Sequence, residues 1–142
     1  MIEGIFTYYP DGTLQREQLL DGKEIVSDIY YNSSGKVLRI KEMHGTIVIL
    51  DALIDESGNE QVVAKYDSAG VINSLVDNRS PDESTLFYFY ENNLVACKMV
   101  IYKDGGRKQL QYFLNDGTLV YARSWKENGD IIDSYDLYLE EV

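Results

Sequence analysis

Turn-forming residues recur along this chain at a fixed step of about 23 residues. One series of them consists of Gly12, Gly35, Gly58, Pro81, the Gly105–Gly106 pair and Gly129. A second series lies between its members, at Gly22, Gly45, Gly70, the Asn92–Asn93 pair and Gly117. The chain therefore turns about every 12 residues, a spacing that is typical of short strands joined by tight turns.

Aromatic and aliphatic residues flank most of these turns at matched distances. Two-residue loops at Asp11-Gly12 and Asn92-Asn93 would place the aromatic directly opposite the aliphatic, which predicts the pairs Tyr9–Leu14 and Tyr90–Val95. Three-residue loops ending in a left-handed glycine predict the pairs Tyr31–Val37, Tyr66–Ile72, Phe113–Leu119 and Trp125–Ile131. Such cross-strand pairs help to fix the register of a hairpin.

The repeat predicts an all-β fold, an antiparallel meander of about ten to twelve short strands. Its unit is a double hairpin of about 23 residues, and the sheet is expected to be a twisted open sheet or an open barrel. No Pro/Gly/Ser-rich linker interrupts the chain, so residues 1–142 are interpreted as a single β-repeat domain. Ser80-Pro81-Asp82-Glu83 departs from the repeat and resembles a capping box, which favours one helical turn or a longer corner there.

Catalytic and metal-binding patterns are not evident in the sequence. Cys97 is the single cysteine and lies in an apolar strand, where a thiol usually packs as a small hydrophobe, and His44 is the single histidine. One cysteine and one histidine make a zinc site unexpected, and no calcium-loop, phosphate-loop or nucleophile-elbow motif occurs. We therefore expect no enzyme activity, no cofactor and no metal.

The chain is acidic throughout. Its formal net charge is −11, with 13 basic and 24 acidic residues, and the two halves carry 6 − 12 = −6 and 7 − 12 = −5. This distribution argues against nucleic acid and anionic membranes as partners and favours a basic protein partner. A structural alternative is that exposed acids keep strand edges from pairing with other chains.

Neither a signal peptide nor a membrane span is evident. The first residues lack a basic segment followed by an apolar run, and no stretch approaches the ~20 apolar residues that a spanning helix needs. A single cysteine excludes an internal disulfide framework and fits a reducing compartment. A cytoplasmic location is the resulting expectation.

Tyrosine is the residue type best suited to form a binding surface here. The chain has 12 tyrosines, and this side chain packs its ring while its hydroxyl remains in water, which suits both a half-covered sheet and an interface. The candidate binding residues are Tyr88, Tyr112, Tyr121 and Trp125.

Four segments carry a resemblance to known repeats. Three of them together resemble the MORN-repeat variant of bacterial antitoxin-like and immunity-like proteins: Tyr-Tyr-Pro-Asp-Gly-Thr-Leu at 8–14, Leu-Asp-Gly-Lys at 20–23 and Ile-Tyr-Tyr-Asn-Ser-Ser-Gly-Lys-Val-Leu at 29–38. Tyr-Asp-Ser-Ala-Gly-Val-Ile at 66–72 is also similar to YD-type repeats. The resemblance implies a non-catalytic protein that neutralises a basic toxin partner. The alternative is a β-protein that binds a small ligand or glycan in an aromatic groove, with Trp125 and Tyr121 as candidates.

Overall fold

A computed structural model of the chain describes residues 2–140 and divides it into two compact units, Met1–Val71 and Ile72–Val142. The first unit contains six antiparallel strands, each paired with its neighbour in the chain. They are β1 (Ile2–Tyr8), β2 (Leu14–Asp21), β3 (Glu24–Tyr31), β4 (Val37–His44), β5 (Ile47–Ile54) and β6 (Glu60–Tyr66).

The second unit is a meander of the same kind, again with six strands in chain order. Its elements are β7 (Ile72–Asp77), β8 (Glu83–Phe89), β9 (Val95–Tyr102), β10 (Arg107–Phe113), β11 (Leu119–Trp125), β12 (Ile131–Asp136) and the one-turn helix α1 (Leu137–Glu140). The prediction of an all-β antiparallel meander that remains open is confirmed.

Eight loops between strands are built on one pattern of three residues closed by two backbone hydrogen bonds. At Ser33-Ser34-Gly35, Asn32 N donates to Lys36 O at 2.8 Å and Gly35 N donates to Asn32 O at 3.0 Å. The third loop residue is left-handed, with a φ of +83° at Gly35. The residues in that position are Gly12, Gly35, Gly58, Gly70, Asn93, Gly105, Gly117 and Gly129.

The predicted two-residue loops at Asp11-Gly12 and Asn92-Asn93 are wrong. A type I turn followed by a left-handed residue needs three residues, and the preceding tyrosine closes the loop with its own backbone. Leu14 therefore lies opposite Tyr8, and Val95 lies opposite Phe89.

The four loops that were predicted to have three residues, 33–35, 68–70, 115–117 and 127–129, do have three. Tyr31–Val37, Phe113–Leu119 and Trp125–Ile131 are opposite one another as expected, and Tyr66–Ile72 stays a prediction. Gly22 and Gly45 instead begin two-residue loops, each with a φ of +65°.

An asparagine or aspartate oxygen stabilises each of the eight loops. In three loops it comes from the residue before the loop: Asp55 Oδ1, for example, accepts bonds from Ser57 N and Asn59 N, both at 2.9 Å. In the other five it comes from the second loop residue, as where Asp104 Oδ1 accepts a bond from Gly106 N at 2.9 Å. The residues that act in this way are Asp11, Asn32, Asp55, Asp67, Asn92, Asp104, Asp116 and Asn128.

Tyrosine hydroxyls connect strands that are not neighbours. Tyr90 Oη donates to Phe113 O at 2.6 Å and Tyr102 Oη donates to Trp125 O at 2.8 Å, in both cases over 23 residues. In the first unit Tyr9 Oη donates to Tyr31 O at 2.6 Å, over 22 residues. The sequence repeat is therefore also a hydrogen-bonding repeat.

Residues 78–82 form a longer corner without a helical turn, which is the second of the two alternatives that the sequence left open. Asp82 N donates to Ser80 Oγ at 3.3 Å within this corner. Asp77 anchors the start of the corner by accepting bonds from the backbone and the guanidinium of Arg79.

Few side chains are fully buried. The buried apolar residues are Ala52, Val63 and Ala64 in the first unit and Val100, Leu110 and Trp125 in the second. Most other strand residues are half-buried, which is expected of sheets that bury less apolar surface than a compact globule.

Two buried or half-buried ion pairs repeat at the same step in the first unit. Arg16 donates to both oxygens of Asp28, at 2.9 and 2.7 Å, and Arg39 pairs with Asp51 in the same two-bond geometry. Asp28 is 3% exposed, and its bonds from Arg16 hold the pKa of its carboxyl below the ordinary value. The tyrosine ring of Tyr30 packs beneath the Arg16 guanidinium, 4.9 Å from ring centre to Cζ.

Gly35→Val should destabilise the protein by about 1–2 kcal/mol, because a β-branched side chain at a φ of +83° is strained. Urea unfolding measures the loss. Ser34→Val in the same loop is the matched control, because Ser34 is exposed and its φ is not positive. Equal losses in the two variants would contradict the assigned loop geometry.

Tyr90→Phe should lower the free energy of unfolding by about 1 kcal/mol, since it removes one part-buried hydrogen bond and leaves the carbonyl of Phe113 without that donor. Thermal or urea unfolding is the measurement. Tyr88→Phe is the control, because the Tyr88 side chain is 48% exposed. A loss as large in Tyr88→Phe would show that the Tyr90 hydroxyl has no special role.

Asp28→Asn should destabilise the protein by about 2–3 kcal/mol at pH 7, because it weakens a charge-assisted pair at a buried site. A lowered pKa contributes stability that is complete above about pH 5 and is lost as the pH falls through ~3.9 toward the folded-state pKa. The difference in the free energy of unfolding between wild type and Asp28→Asn should therefore become smaller at acidic pH. Asp77→Asn, at the more exposed Arg79 pair, should lower the free energy of unfolding by less. If the stability difference between wild type and Asp28→Asn did not change with pH, the pKa of Asp28 would not be linked to stability.

Candidate protein-binding surface

One cross-strand row on β8 to β11 brings together three of the four predicted binding residues. Tyr88 lies opposite Cys97, Cys97 lies opposite Tyr112, and Tyr112 lies opposite Tyr121. We call Tyr88, Cys97, Tyr112 and Tyr121 the tyrosine row. The rings of Tyr112 and Tyr121 are 5.7 Å apart between centroids and inclined at 48°.

The tyrosine row is accessible to solvent. Tyr88 is 48% exposed and Tyr112 is 44% exposed, while Tyr121 and Cys97 are half-buried. Directly opposite residues in a sheet are about 5 Å apart, so the four side chains form a continuous strip across four strands. A strip of half-exposed tyrosines can contact a partner over a large area while the hydroxyls remain hydrogen-bonded to water.

A second row lies two residues further along each strand and shares the face with the tyrosine row. It consists of Leu86, Met99, Leu110 and Arg123. Leu110 is buried, and the Arg123 guanidinium lies 5.6 Å from the centre of the Tyr121 ring. Three of these four residues are apolar, and they lie beside the tyrosines on the same face of the sheet.

Two loops border the tyrosine row at one end of the strands. Glu91 begins the loop after β8, and Asp116 is the middle residue of the loop after β10. Both side chains are exposed, and the hydroxyl and backbone bonds from Thr118 lower the pKa of the Asp116 carboxyl. Leu94 and Leu114 beside the loops are 41% and 38% exposed, so the border is both acidic and apolar.

Trp125 is separate from the tyrosine row. It is 7% exposed, and the Arg107 guanidinium covers its ring at 4.5 Å from the centroid. Its backbone oxygen also accepts the Tyr102 hydroxyl bond. Trp125 thus lies buried outside the row, and the row contains the other three predicted binding residues.

Cys97 lies in the middle of the row but lacks the features of a nucleophile. Partial burial raises the pKa of its thiol, so the protonated form predominates at neutral pH. His44 is the last residue of β4 in the first unit. Among residues 2–140 no group of three or more histidine, cysteine, aspartate or glutamate side chains is arranged to hold a metal ion.

Two of the open cavities on the units lie away from the tyrosine row. One, of about 310 Å³, is in the second unit and is lined by residues that include Thr85, Lys98, Gln109, Ser124 and Trp125. The other, of about 610 Å³, is in the first unit around the loop at Glu56–Gly58, where Lys36 Nζ donates to Glu56 O at 3.0 Å. Neither cavity contains Tyr88, Tyr112 or Tyr121.

The row depends on three one-residue bulges that sequence reasoning did not identify. Ala96 is the extra residue on β9 and Val120 is the extra residue on β11, and the third bulge is on β10. Arg107 lies opposite Ile101 but Gln109 lies opposite Val100, so Lys108 is the extra residue on β10. Without that extra residue Gln111 would face Cys97, and Tyr112 would lie on the other face of the sheet. The Gly105–Gly106 pair at the preceding turn was the available sequence signal for an irregular register. Only Gly105 is left-handed, and Gly106 is the residue that closes the loop with Tyr102.

Comparison with protein-family models finds no match to this chain, and comparison with curated proteins finds none either. The resemblance to MORN-type repeats therefore stays a prediction. Within residues 2–140 no helix has the length and apolar character needed to cross a membrane.

Proposed function

We propose that this chain is a non-catalytic protein-binding module of the immunity or antitoxin type, and that it recognises a basic protein partner through the tyrosine row. The observation that carries this proposal is the alignment of Tyr88, Tyr112 and Tyr121 on one exposed face. Tyrosine is enriched among the residues that dominate binding energy at protein interfaces, because its large ring loses little conformational entropy on contact.

The acidic border supports a basic partner. Glu91 and Asp116 are exposed at the end of the row, and the whole chain carries −11, so the potential around the surface attracts cationic groups. Several acids also stabilise loops through one carboxylate oxygen; at Asp116 the bonds from Thr118 lower the pKa of the carboxyl and so favour its charged form. One acid thus contributes both to the loop and to the field.

A second candidate function is the binding of a small ligand or glycan. The cavity of about 310 Å³ adjoining Trp125 supports it, since Thr85, Gln109 and Ser124 offer hydroxyl and amide groups that hydrogen-bond sugars. Tyr121, the other residue of that alternative, does not line this cavity. The two candidate functions therefore use different residues and can be separated by mutation.

The double variant Tyr88→Ser, Tyr112→Ser should weaken partner binding by about 30-fold or more, because removal of two central aromatic side chains typically costs at least 2 kcal/mol. The partner is first captured from a lysate of the source cells at low salt, identified and purified, and its affinity is then measured at about 0.05 and 0.5 M salt. A basic partner should bind more weakly at high salt.

Tyr138→Ser is the matched control, because Tyr138 is 63% exposed and lies on α1, outside the row. Equal binding by the double variant and the control would reject the tyrosine row, and a partner that is not basic would reject the electrostatic part of the proposal. If no protein is captured and a glycan panel instead raises the melting temperature, with the shift lost in Gln109→Ala, the second candidate replaces the first.

A further inference from the structure

Strand β1 is the most exposed strand of the first unit. All seven of its residues are exposed, whereas the residues of the neighbouring β2 are half-buried except at the end. Ile2, Ile5, Phe6 and Tyr8 are 65%, 51%, 49% and 58% exposed. Only β2 pairs with it among residues 2–140, so its outer backbone edge and both of its faces are open.

Open edges in monomeric proteins are usually protected by charges, proline or a covering element. The β1 sequence Ile-Glu-Gly-Ile-Phe-Thr-Tyr has one charged residue, Glu3, and neither lysine nor proline. In contrast β12, the last strand of the second unit, carries Asp133 and Asp136 and is followed by α1. The β1 edge is therefore the less protected of these two strands.

The β1 sequence is complementary to itself in the antiparallel direction. A two-fold axis through Ile5 places Ile2 opposite Tyr8, Glu3 opposite Thr7 and Gly4 opposite Phe6. Each Glu3 then faces a neutral hydroxyl, so the pairing brings no like charges directly opposite one another. Ile2 of each strand then faces Tyr8 of the other, and the two Ile5 residues face one another.

Gly4 and Phe6 support this register in particular. The Phe6 ring lies across Gly4 of its own strand, with Cζ 2.7 Å from the place where a Cβ on Gly4 would be. Because Gly4 has no side chain, the two Phe6 rings of a pair would lie on one face at diagonal positions about 7–8 Å apart, within reach of aromatic contact.

We propose that the outer edge of β1 is a self-association site, at which β1 of a second copy of this chain pairs antiparallel about a two-fold axis through Ile5. The site is independent of the tyrosine row, since it is built from the first unit alone. An interface of one strand edge is smaller than that of a stable dimer, so we expect a weak dimer with a dissociation constant on the order of 10–100 µM.

Salt should affect this dimer in the opposite direction from binding to a basic partner. Each copy carries −11, and the two copies repel one another, while the contact itself is apolar and backbone-mediated. Screening of that repulsion at high ionic strength should strengthen the dimer. Association that weakens as salt is added would contradict an apolar edge contact.

Sedimentation of the full chain at about 5–500 µM and 0.5 M salt tests the proposal. Wild type should shift from monomer to dimer over this range, and Ile5→Lys should remain monomeric because it places two like charges at the axis. Ile132→Lys is the matched control on β12, where the native side chain is 60% exposed, and it should dimerise like wild type. A wild type that is monomeric throughout, or equal behaviour of the two variants, would overturn the proposal.

Disulfide trapping tests the register independently of stability. In a Cys97→Ala background, Ile5→Cys should form an intermolecular disulfide, because directly opposite Cα atoms are about 4.5–5.5 Å apart. Ile2→Cys should not, since the two substituted positions would be about 20 Å apart along the strands. Circular dichroism confirms that each variant keeps its β signal. Trapping at position 2 that equals trapping at position 5 would reject this register.

Discussion

The three-residue loop, with a left-handed third residue and an acceptor oxygen from asparagine or aspartate, is the constraint on which both meanders depend. Two backbone bonds fix which residues close the loop, as Asn32 and Lys36 do around Gly35. The closing pair and the one-residue bulge after it, as where Tyr31 faces Val37 but Tyr30 faces Arg39, then fix the later pairs of the hairpin, because side chains alternate between faces with a period of two. The loop chemistry therefore decides which side chains share a face.

Interactions at the repeat step hold the hairpins to one another. Tyrosine hydroxyls such as that of Tyr90 reach a carbonyl 23 residues away, and the Arg16–Asp28 and Arg39–Asp51 pairs recur at the same step. Because so few side chains are fully buried, these polar contacts matter more here than they do in a compact globule. When each 23-residue repeat carries one donor and one acceptor at the same positions, the same hydrogen bond forms again in every copy of the repeat.

The charge of the chain has two roles that composition alone does not separate. Asp55, Asp67 and Asp104 are acceptors inside loops, so part of the acidity that suggested a basic partner is explained by loop chemistry. These carboxylates still contribute to a negative potential around each unit. The argument for a protein partner therefore rests on the position of the tyrosines. The negative charge of the chain adds only the expectation that the partner is positively charged.

The sequence by itself determined the antiparallel meander and most of the loops. The spacing of the glycines and the aromatic and aliphatic residues beside them are local features, and local features decide the geometry of a hairpin turn. It did not determine whether Tyr9 and Tyr90 lie inside a strand or close a loop, since Asp11-Gly12 and Asn92-Asn93 also fit a two-residue turn, whereas the folded loops have three residues. Nor did it determine the tyrosine row. The extra residue at Lys108 moves Tyr112 onto the face of Tyr88 and Tyr121, and only the pairing of β9 with β10 in the folded sheet decides where a bulge lies.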